Sequence, residues 1–212
     1  MAIARALVKT PRILLLDEPL SNLDARLRLQ TREEIRRIQR ATGITTVFVT
    51  HDQEEAMSIS DQIVVMKDGV VQQVGKPQNV YDDPLNLFVA KFLGTPPINV
   101  FSGSVRSGKL LIGEDAVMDA EGVLDQEVTV AIRPEGFEPA ADGVITCDLT
   151  RVEVMGRDVS MVCNHSAFTG DSFRAIVSSD DLSHVSGTTV RFHLKKAKVF
   201  LFRPDDGQRI RF

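Results

Sequence analysis

An uninterrupted run of large apolar residues, 13–16 (Ile-Leu-Leu-Leu), stops abruptly at two carboxylates, Asp17 and Glu18. Because apolar and polar residues do not alternate in this run, it predicts a strand buried on both faces, as in the centre of a parallel sheet. Ligands of open α/β sheets bind beyond the carboxyl ends of such strands, where the two acids stand. A buried carboxylate without a partner costs several kcal/mol of stability. We therefore expect Asp17 and Glu18 to face a cation or strong hydrogen-bond donors.

A second strand is predicted to end at His51. Residues 44–50 are rich in β-branched side chains and predict another buried strand, and a helix is predicted to begin at Asp52. A lone histidine is in most cases a structural residue. Here the predicted sheet places His51 one strand away from Glu18 at the same edge, which favours a shared ligand. An imidazole in that place can stabilise negative charge or hold a carboxylate in position.

Together, the two segments resemble a known family. Residues 13–24 resemble the Walker B strand and D-loop of the ATP-binding-cassette (ABC) ATPases, and residues 47–56 resemble their switch-histidine segment. An acidic pair after an apolar strand is a weak signal by itself. Both motifs at this spacing, with Pro19 and Asp24 in place, form a strong one. The resemblance implies ATP and Mg²⁺ as cofactors.

The same resemblance implies a role for each polar residue at the strand ends. Asp17 is implied to bind the metal and to orient metal-bound water, and Glu18 to act as a base toward the attacking water. His51 is implied to contact the γ-phosphate and to position that water, so the implied catalytic residues are Glu18 and His51. In the family, the segment that follows crosses to a partner subunit. It supplies three further implied cofactor-site residues: Ser21, Asn22 and Asp24.

The region after the acidic pair predicts a long amphipathic helix. Ser21 or Asn22 is the candidate N-cap, the helix is predicted to reach Thr42, and Gly43 is the predicted terminator. The polar face is basic and carries Arg26, Arg28, Arg32, Arg36, Arg37 and Arg40. Two glutamates lie at intrahelical pairing distance from these arginines, and the net charge of the chain is -4. We therefore predict a solvated face and no nucleic-acid partner.

The rest of the chain changes character part-way. Residues 62–66 and 70–74 predict two strands joined by a tight turn, and two short helices are predicted over 77–81 and 84–93. Beyond the Thr-Pro-Pro of residues 95–97, short alternating segments separated by glycines predict a small β-barrel or sandwich.

This later region also resembles part of the family. Residues 94–99 are similar to the linker, and residues 130–135 to the barrel motif, of the accessory (TOBE-like) domain of sugar-importer ATPases. The predicted fold class is therefore α/β plus all-β. Residues 1–93 are predicted to be the C-terminal half of a P-loop NTPase cassette with a mostly parallel sheet. Residues 94–212 are predicted to be an OB-like small β-barrel regulatory domain.

The resemblance implies the ATP-binding subunit of a bacterial ABC importer for sugars or glycerol phosphates. Its implied partners are a second copy of the chain and two membrane-spanning permease subunits, with a regulatory protein on the barrel. The implied location is the cytoplasmic face of the membrane. The sequence contains no apolar run of the length needed to cross a bilayer and no charged-then-apolar leader, so we expect a peripheral attachment.

Two motifs of the family do not occur in the 212 residues. There is no G-x-x-x-x-G-K-[ST] phosphate loop, and no Ser-Gly-Gly-Gln precedes the helix predicted for residues 1–9. Backbone N–H groups and a lysine of the phosphate loop hold the nucleotide phosphates. We therefore expect this polypeptide alone neither to bind ATP tightly nor to hydrolyse it. Apolar faces of the strands at Leu14 and Val47 are then expected to lack cover and to drive self-association.

Two other functions stay open at this point. The chain can be a regulatory module whose barrel binds an oxyanion or an oligosaccharide, with the half-cassette as a remnant. An ABC ATPase that acts on DNA or ribosomes is disfavoured, because those proteins lack this barrel and because the net charge is -4.

Overall fold

A computed structural model describes residues 11–184 and 187–212. The described chain divides into two compact units. The first comprises the described residues up to 64 together with 74–78, and the second comprises residues 65–73 and those from 79 onward. The helix predicted over residues 1–9 lies outside the described residues. The division into domains of residues 1–93 and 94–212 stays a prediction.

The first unit contains a pair of parallel strands. In it, β1 and β2 pair with Ile13 opposite Thr45 and Asp17 opposite Val49. Parallel pairing brings the carboxyl ends of both strands to one edge, as the sequence predicts for the acidic pair and the histidine. The elements of this unit are β1 (Ile13–Asp17), α1 (Ala25–Thr42), β2 (Thr45–Val49) and α2 (Gln53–Ile59).

Strand β1 is buried on one face only, and β2 is no more than half-buried on that face, so the prediction of burial on both faces is wrong. Leu14 and Leu16 are each 7% exposed and pack with Leu20 and Ile35 in the core of this unit. Alternation along a strand turns every second residue to the other face, and that face is open to solvent. It carries four exposed apolar side chains: Ile13, Leu15, Val47 and Val49.

Helix α1 begins later than predicted. Its N-cap is Asp24 rather than Ser21 or Asn22, because the Asp24 carboxylate accepts a hydrogen bond from the Leu27 N–H at 3.0 Å. Its C-terminal end agrees with the prediction. Gly43 follows the helix with a φ of 67°, the left-handed conformation that a terminating glycine adopts most easily.

A hairpin and two short helices follow. The predicted tight turn is present, with Asp68 and Gly69 at φ values of 50° and 77°, a pattern typical of a two-residue hairpin turn. The second short helix begins after the predicted position because Asn86 caps it, accepting a hydrogen bond from the Val89 N–H at 2.9 Å. Within the described residues, no helix combines the length and the apolar content needed to cross a bilayer. The bounds are β3 (Ile63–Lys67), β4 (Val70–Gly75), α3 (Pro77–Asp82) and α4 (Leu87–Phe92).

The second unit is dominated by antiparallel strands, which agrees with the prediction of a β-barrel region. One sheet has the strand order β12-β11-β10-β13-β9, and the other has the order β15-β14-β8-β5-β6-β7. The sequence did not predict β7 and β9, which are short. The strand bounds are β5 (Asn99–Arg106), β6 (Lys109–Ile112), β7 (Asp115–Asp119), β8 (Gln126–Ile132), β9 (Phe137–Pro139), β10 (Ile145–Met155), β11 (Asp158–Asn164), β12 (Phe173–Ser178), β13 (Thr189–Leu194), β14 (Val199–Phe202) and β15 (Arg209–Ile210).

The two sheets share one hydrophobic core and are joined along β5. The buried Asn99 amide donates to the Arg174 carbonyl at 2.8 Å and accepts from the Arg174 N–H at 3.2 Å, which connects β5 to β12. Next to this junction, the Ser102 N–H donates to the Ala167 carbonyl at 2.8 Å. Aromatic side chains fill the space between the sheets: Phe101, Phe137, Phe168, Phe173 and Phe192.

Arg133 directly follows β8 and is fully buried, in contact with residues 81, 90 and 93 of the second unit. Its guanidinium donates to the carbonyls of Ala90, Leu93 and Tyr81, the first at 3.0 Å and the last at 2.8 Å. The guanidinium carbon also lies 3.8 Å from the centre of the Tyr81 ring. Burial lowers the pKa of Arg133, but these acceptors and the aromatic face compensate the buried charge. This arginine of the predicted barrel motif is thus the anchor of α3 and α4 on the sheet.

The two cysteines, Cys147 and Cys163, are buried free thiols. Cys147 is 2% exposed and Cys163 is fully buried. Burial raises the pKa of both thiols, that of Cys163 to about 12. Both thiols therefore stay protonated and poorly nucleophilic at neutral pH.

Candidate functional site

The candidate site lies at the carboxyl ends of β1 and β2, where the chain holds Glu18 in an unusual conformation. Glu18 has a φ of 42°, which is uncommon for a residue with a side chain. Its N–H donates to the Val49 carbonyl at 2.9 Å, and its carbonyl accepts from the Ser21 hydroxyl at 3.0 Å. These contacts fix the backbone on both sides of the Glu18 side chain. An observed left-handed residue of this kind is typical of functional sites.

Glu18 and His51 form a direct side-chain pair. His51 Nδ1 lies 3.1 Å from Glu18 Oε1, within hydrogen-bond distance. The His51 side chain is 75% exposed and that of Glu18 is 46% exposed, so the pair faces solvent. The structure thus brings together the two residues that the resemblance implies as catalytic. An exposed acid beside an imidazole is open to a ligand and can exchange a proton with it.

The turn that carries His51 is braced on both sides. The Thr50 hydroxyl accepts a hydrogen bond from the Asp52 N–H at 3.0 Å and donates to the Glu55 carboxylate at 2.7 Å. Asp52 caps α2 by accepting from the Glu55 N–H at 3.1 Å. Both neighbours of His51 in the sequence are therefore fixed, while the imidazole itself stays exposed.

The other predicted site residues lie near the pair but make different contacts. Asp17 is exposed at the end of β1, and its side chain forms no hydrogen bond or ion pair with the described residues. Ser21 holds the Glu18 carbonyl, and Asp24 caps α1. Asn22 is exposed on the loop between them. The carboxylates of Asp17 and Glu18 are both exposed, so the argument that burial requires a compensating cation is wrong for this structure.

The residues present fit a Mg²⁺ ion that arrives with a nucleotide. Magnesium is usually held by one or two carboxylates together with substrate phosphates and water. Asp17, which precedes Glu18 at the end of β1, supplies one exposed carboxylate. Across the described part of the chain, no cluster of three or more histidine, cysteine, aspartate or glutamate side chains stands ready to hold a metal by itself.

Sequence reasoning missed the residues that brace the site. Arg28 was predicted to belong to a solvated basic face, yet it contacts Asp52 at 3.4 Å and lies 3.6 Å from Glu55. Glu55 is 4% exposed, which makes it a buried carboxylate on a short helix. The available signal was the Thr50 and Asp52 pair around His51, because threonine and aspartate commonly cap helices and turns.

The chain resembles proteins of known class along nearly its whole length. A putative ABC transporter ATP-binding protein of Mycoplasma pneumoniae is 44% identical over 216 residues, covering 99% of this chain and 36% of that protein. The sn-glycerol-3-phosphate import ATP-binding protein of Jannaschia sp. is 37% identical and covers 99% of this chain and 59% of that protein. The chain belongs to the family of ABC-transporter ATP-binding subunits. This confirms the resemblance drawn from residues 13–24 and 47–56.

A third relative of this ABC-family chain is named for sugar import. The trehalose/maltose import ATP-binding protein of Thermococcus litoralis is 47% identical over 220 residues, covering 94% of this chain and 58% of that protein. The chain spans between 36% and 59% of the length of these three relatives. The relatives do not favour the alternative of a barrel-based ligand-binding module.

The other comparisons with this ABC-family chain add little. No protein-family model matches it. Among solved structures, the cytoplasmic molybdate-binding protein ModG aligns with a TM-score of 0.38 at 16% identity, over 50% of this chain and 96% of that one. An alignment this loose supports no inference about a ligand.

Proposed function

We propose that this chain supplies the hydrolytic edge of the ATP site in an ABC importer subunit. The observation that carries the proposal is the Glu18–His51 pair, which meets at 3.1 Å across two parallel strands in a chain whose relatives are ATP-binding proteins. In this proposal, residues 1–93 are part of a P-loop cassette with a mostly parallel sheet. Residues 94–212 are an accessory barrel with a regulatory role.

The proposed chemistry assigns a proton acceptor and a positioning group. The Glu18 carboxylate accepts a proton from, or orients, the water that attacks the γ-phosphate. A neutral imidazole with its proton on Nδ1 donates to Glu18 Oε1 and so fixes the carboxylate. The second ring nitrogen, Nε2, points away from Glu18. When the ring is protonated, the Nε2–H can donate a hydrogen bond to a phosphate oxygen. Mg²⁺, with Asp17 as a ligand, supplies charge neutralisation at the phosphates when it is bound.

The loop after Glu18 is proposed to face a second copy of the cassette. Ser21, Asn22 and Asp24 carry polar side chains on this loop, and Ser21 contacts the Glu18 backbone directly. A partner that contacts this loop at Ser21 is therefore linked to Glu18 through one hydrogen bond. This supports a dimer in which each copy completes the ATP site of the other.

The transported solute and the membrane partners are assigned by class. Relatives named for import of sn-glycerol-3-phosphate and of trehalose or maltose support sugars or glycerol phosphates as the solute class. The proposed partners are two membrane-spanning permease subunits, reached from the cytoplasmic face. A regulatory protein is proposed to bind the barrel.

ATPase assays on a fusion test the proposal. The segment of the Thermococcus litoralis relative that has no counterpart in this chain is fused to the N-terminus of residue 1. We expect this fusion to hydrolyse ATP, and Glu18→Gln to slow hydrolysis by on the order of 10²-fold or more while ATP binding is kept. Glu34→Gln is the matched control, because Glu34 is an exposed acid paired with Arg37 on α1, and it should leave the rate unchanged. Equal rates in the fusion and its Glu18→Gln form would overturn the proposal.

A further inference from the structure

Arg28, in the first turns of α1, contacts two separate segments of the candidate site. Its Nη2 donates to the Leu23 carbonyl at 3.2 Å, inside the loop that carries Ser21, Asn22 and Asp24. Its Nη1 donates to Asp52 Oδ2 at 3.4 Å, next to His51. One guanidinium therefore bridges the loop after Glu18 and the turn that presents the histidine.

The same guanidinium faces a buried carboxylate. Glu55 is 4% exposed, and its Oε2 accepts from the Thr50 hydroxyl at 2.7 Å. Its Oε1 lies 3.6 Å from Arg28 Nε, an ion-pair separation that is longer than a hydrogen bond. Arg28 Nε is itself buried and has no hydrogen-bond partner among the described residues.

An unsatisfied buried N–H beside a buried carboxylate is costly, and a small shift satisfies both groups. A buried donor left unpaired has lost its hydrogen bond to water without a replacement. Movement of a few tenths of an ångström turns the 3.6 Å separation into a charge-assisted hydrogen bond. The Leu23 carbonyl is the other attachment of Arg28, so a displacement of that loop pulls the guanidinium toward or away from Glu55.

We propose that Arg28 and Glu55 are positioning residues that couple the loop of residues 21–24 to His51. The path runs from the Leu23 carbonyl through Arg28 to Asp52 and Glu55, and from Glu55 through Thr50 to the turn that holds the imidazole. A partner that presses on the loop thereby changes how His51 meets Glu18. This inference rests on the proposed function of the Glu18–His51 pair. It adds a means by which a second copy of the chain controls that pair.

The test perturbs the loop and observes the histidine in the 212-residue chain without nucleotide. Asp24→Ala removes the cap of α1 and loosens the first turn next to Leu23. The readout is the imidazole proton resonance of His51 in NMR spectra. The chain has four histidines, so the resonance is identified by its loss in His51→Gln. Since no ATP is turned over, the result does not depend on whether the pair hydrolyses ATP.

We expect Asp24→Ala to shift the His51 resonance in the parent chain. In a chain that also carries Arg28→Gln, Asp24→Ala should no longer cause this shift. Glu55→Gln, which keeps an oxygen to accept from Thr50 but loses the charge, should also remove most of the shift. Arg37→Gln should leave the shift intact, because Arg37 lies on the same helix but pairs with Glu34, away from Arg28's partners. If Arg28→Gln does not fold, the Glu55→Gln variant decides alone.

The coupling is overturned if Asp24→Ala still shifts the His51 resonance fully in both the Arg28→Gln and the Glu55→Gln chains. A shift that Arg37→Gln also removes would overturn it as well, because a general loosening of α1 would then be the cause. The two proposals can fail separately. If the spectra show no coupling but the fusion hydrolyses ATP in a Glu18-dependent way, the coupling is wrong and the proposed function stands.

Discussion

His51 Nδ1 lies 3.1 Å from Glu18 Oε1, although 33 positions separate the two residues in the chain. The parallel register of β1 and β2 produces this meeting, because it aligns Asp17 with Val49 and so brings the two following loops together. The left-handed Glu18 turns its side chain at that edge. The pair is thus a consequence of strand pairing and of one unusual backbone conformation.

The direct contact predicts that the effects of Glu18 and His51 on catalysis are not additive. In the ATPase fusion, His51→Ala and Glu18→Gln are each expected to lower kcat by on the order of 10²- to 10⁴-fold, the range for a positioned acid or base. The double variant should be no slower than the slower single variant, because each substitution already disables the Glu18–His51 pair as a whole. Steady-state ATPase rates of the four proteins measure this. Multiplied losses would show that the two residues act independently.

The open apolar face of β1 and β2 predicts self-association of the 212-residue chain. Leu15 is 72% exposed and Val47 is 49% exposed, and an apolar patch of this kind favours association in water. Sedimentation velocity at micromolar concentration should show species larger than the monomer, and Leu15→Gln with Val47→Thr should reduce them. Leu124→Gln is the control, since Leu124 is 82% exposed but lies outside the patch. A purely monomeric parent chain would contradict the prediction.

The buried guanidinium of Arg133 predicts a large loss of stability on substitution. Arg133→Met leaves the carbonyls of Ala90, Leu93 and Tyr81 without their donor. Breaking such a buried charged network costs about 3–5 kcal/mol of the free energy of unfolding. Urea denaturation measures the change. Arg203→Gln removes an exposed ion pair with Asp206 and should cost less than about 1 kcal/mol. Similar losses in both variants would contradict the assignment of Arg133 as an anchor.

Tyr81 predicts a stability change at alkaline pH. Burial raises the pKa of Tyr81 from 10.0 to about 12, against the opposing charge of Arg133. Because the folded state prefers the neutral phenol, the stability contributed by Tyr81 is complete below pH 10.0 and is lost as the pH rises to about 12. Tyr81→Phe should lack this loss, so the comparison isolates Tyr81 from other groups.

The chain offers a direct readout of the same group. Tyr81 is the only tyrosine and there is no tryptophan, so phenolate absorbance reports Tyr81 alone. The folded protein should titrate at a higher pH than the protein in urea. Coinciding titration curves, or equal alkaline destabilisation of the parent and Tyr81→Phe, would contradict the prediction.

The meeting of Glu18 and His51 was predicted from the sequence better than the contacts around it. Strand ends are marked by polar residues after apolar runs, so Glu18 and His51 were found from their order in the chain. The apolar run of residues 13–16 alone predicted burial on both faces, because such a run does not reveal whether a second layer covers the strand. The missing phosphate loop, in contrast, led us to expect an apolar face without cover, and Leu15 and Val47 are exposed. Arg28 was missed because helical periodicity assigns a side chain to a face but does not show what packs against that face. The start of α1 was misplaced because Ser21, Asn22 and Asp24 are all good N-caps, and tertiary contacts decide among them.

The most direct test of the account is a crystal structure of the ATPase fusion that carries Glu18→Gln, grown with ATP and Mg²⁺. We expect the γ-phosphate at the edge formed by β1 and β2, with residue 18 and His51 both near the water that faces it and Asp17 beside the metal. A nucleotide bound elsewhere, with residue 18 and His51 far from any phosphate, would contradict the assignment of this pair to ATP hydrolysis.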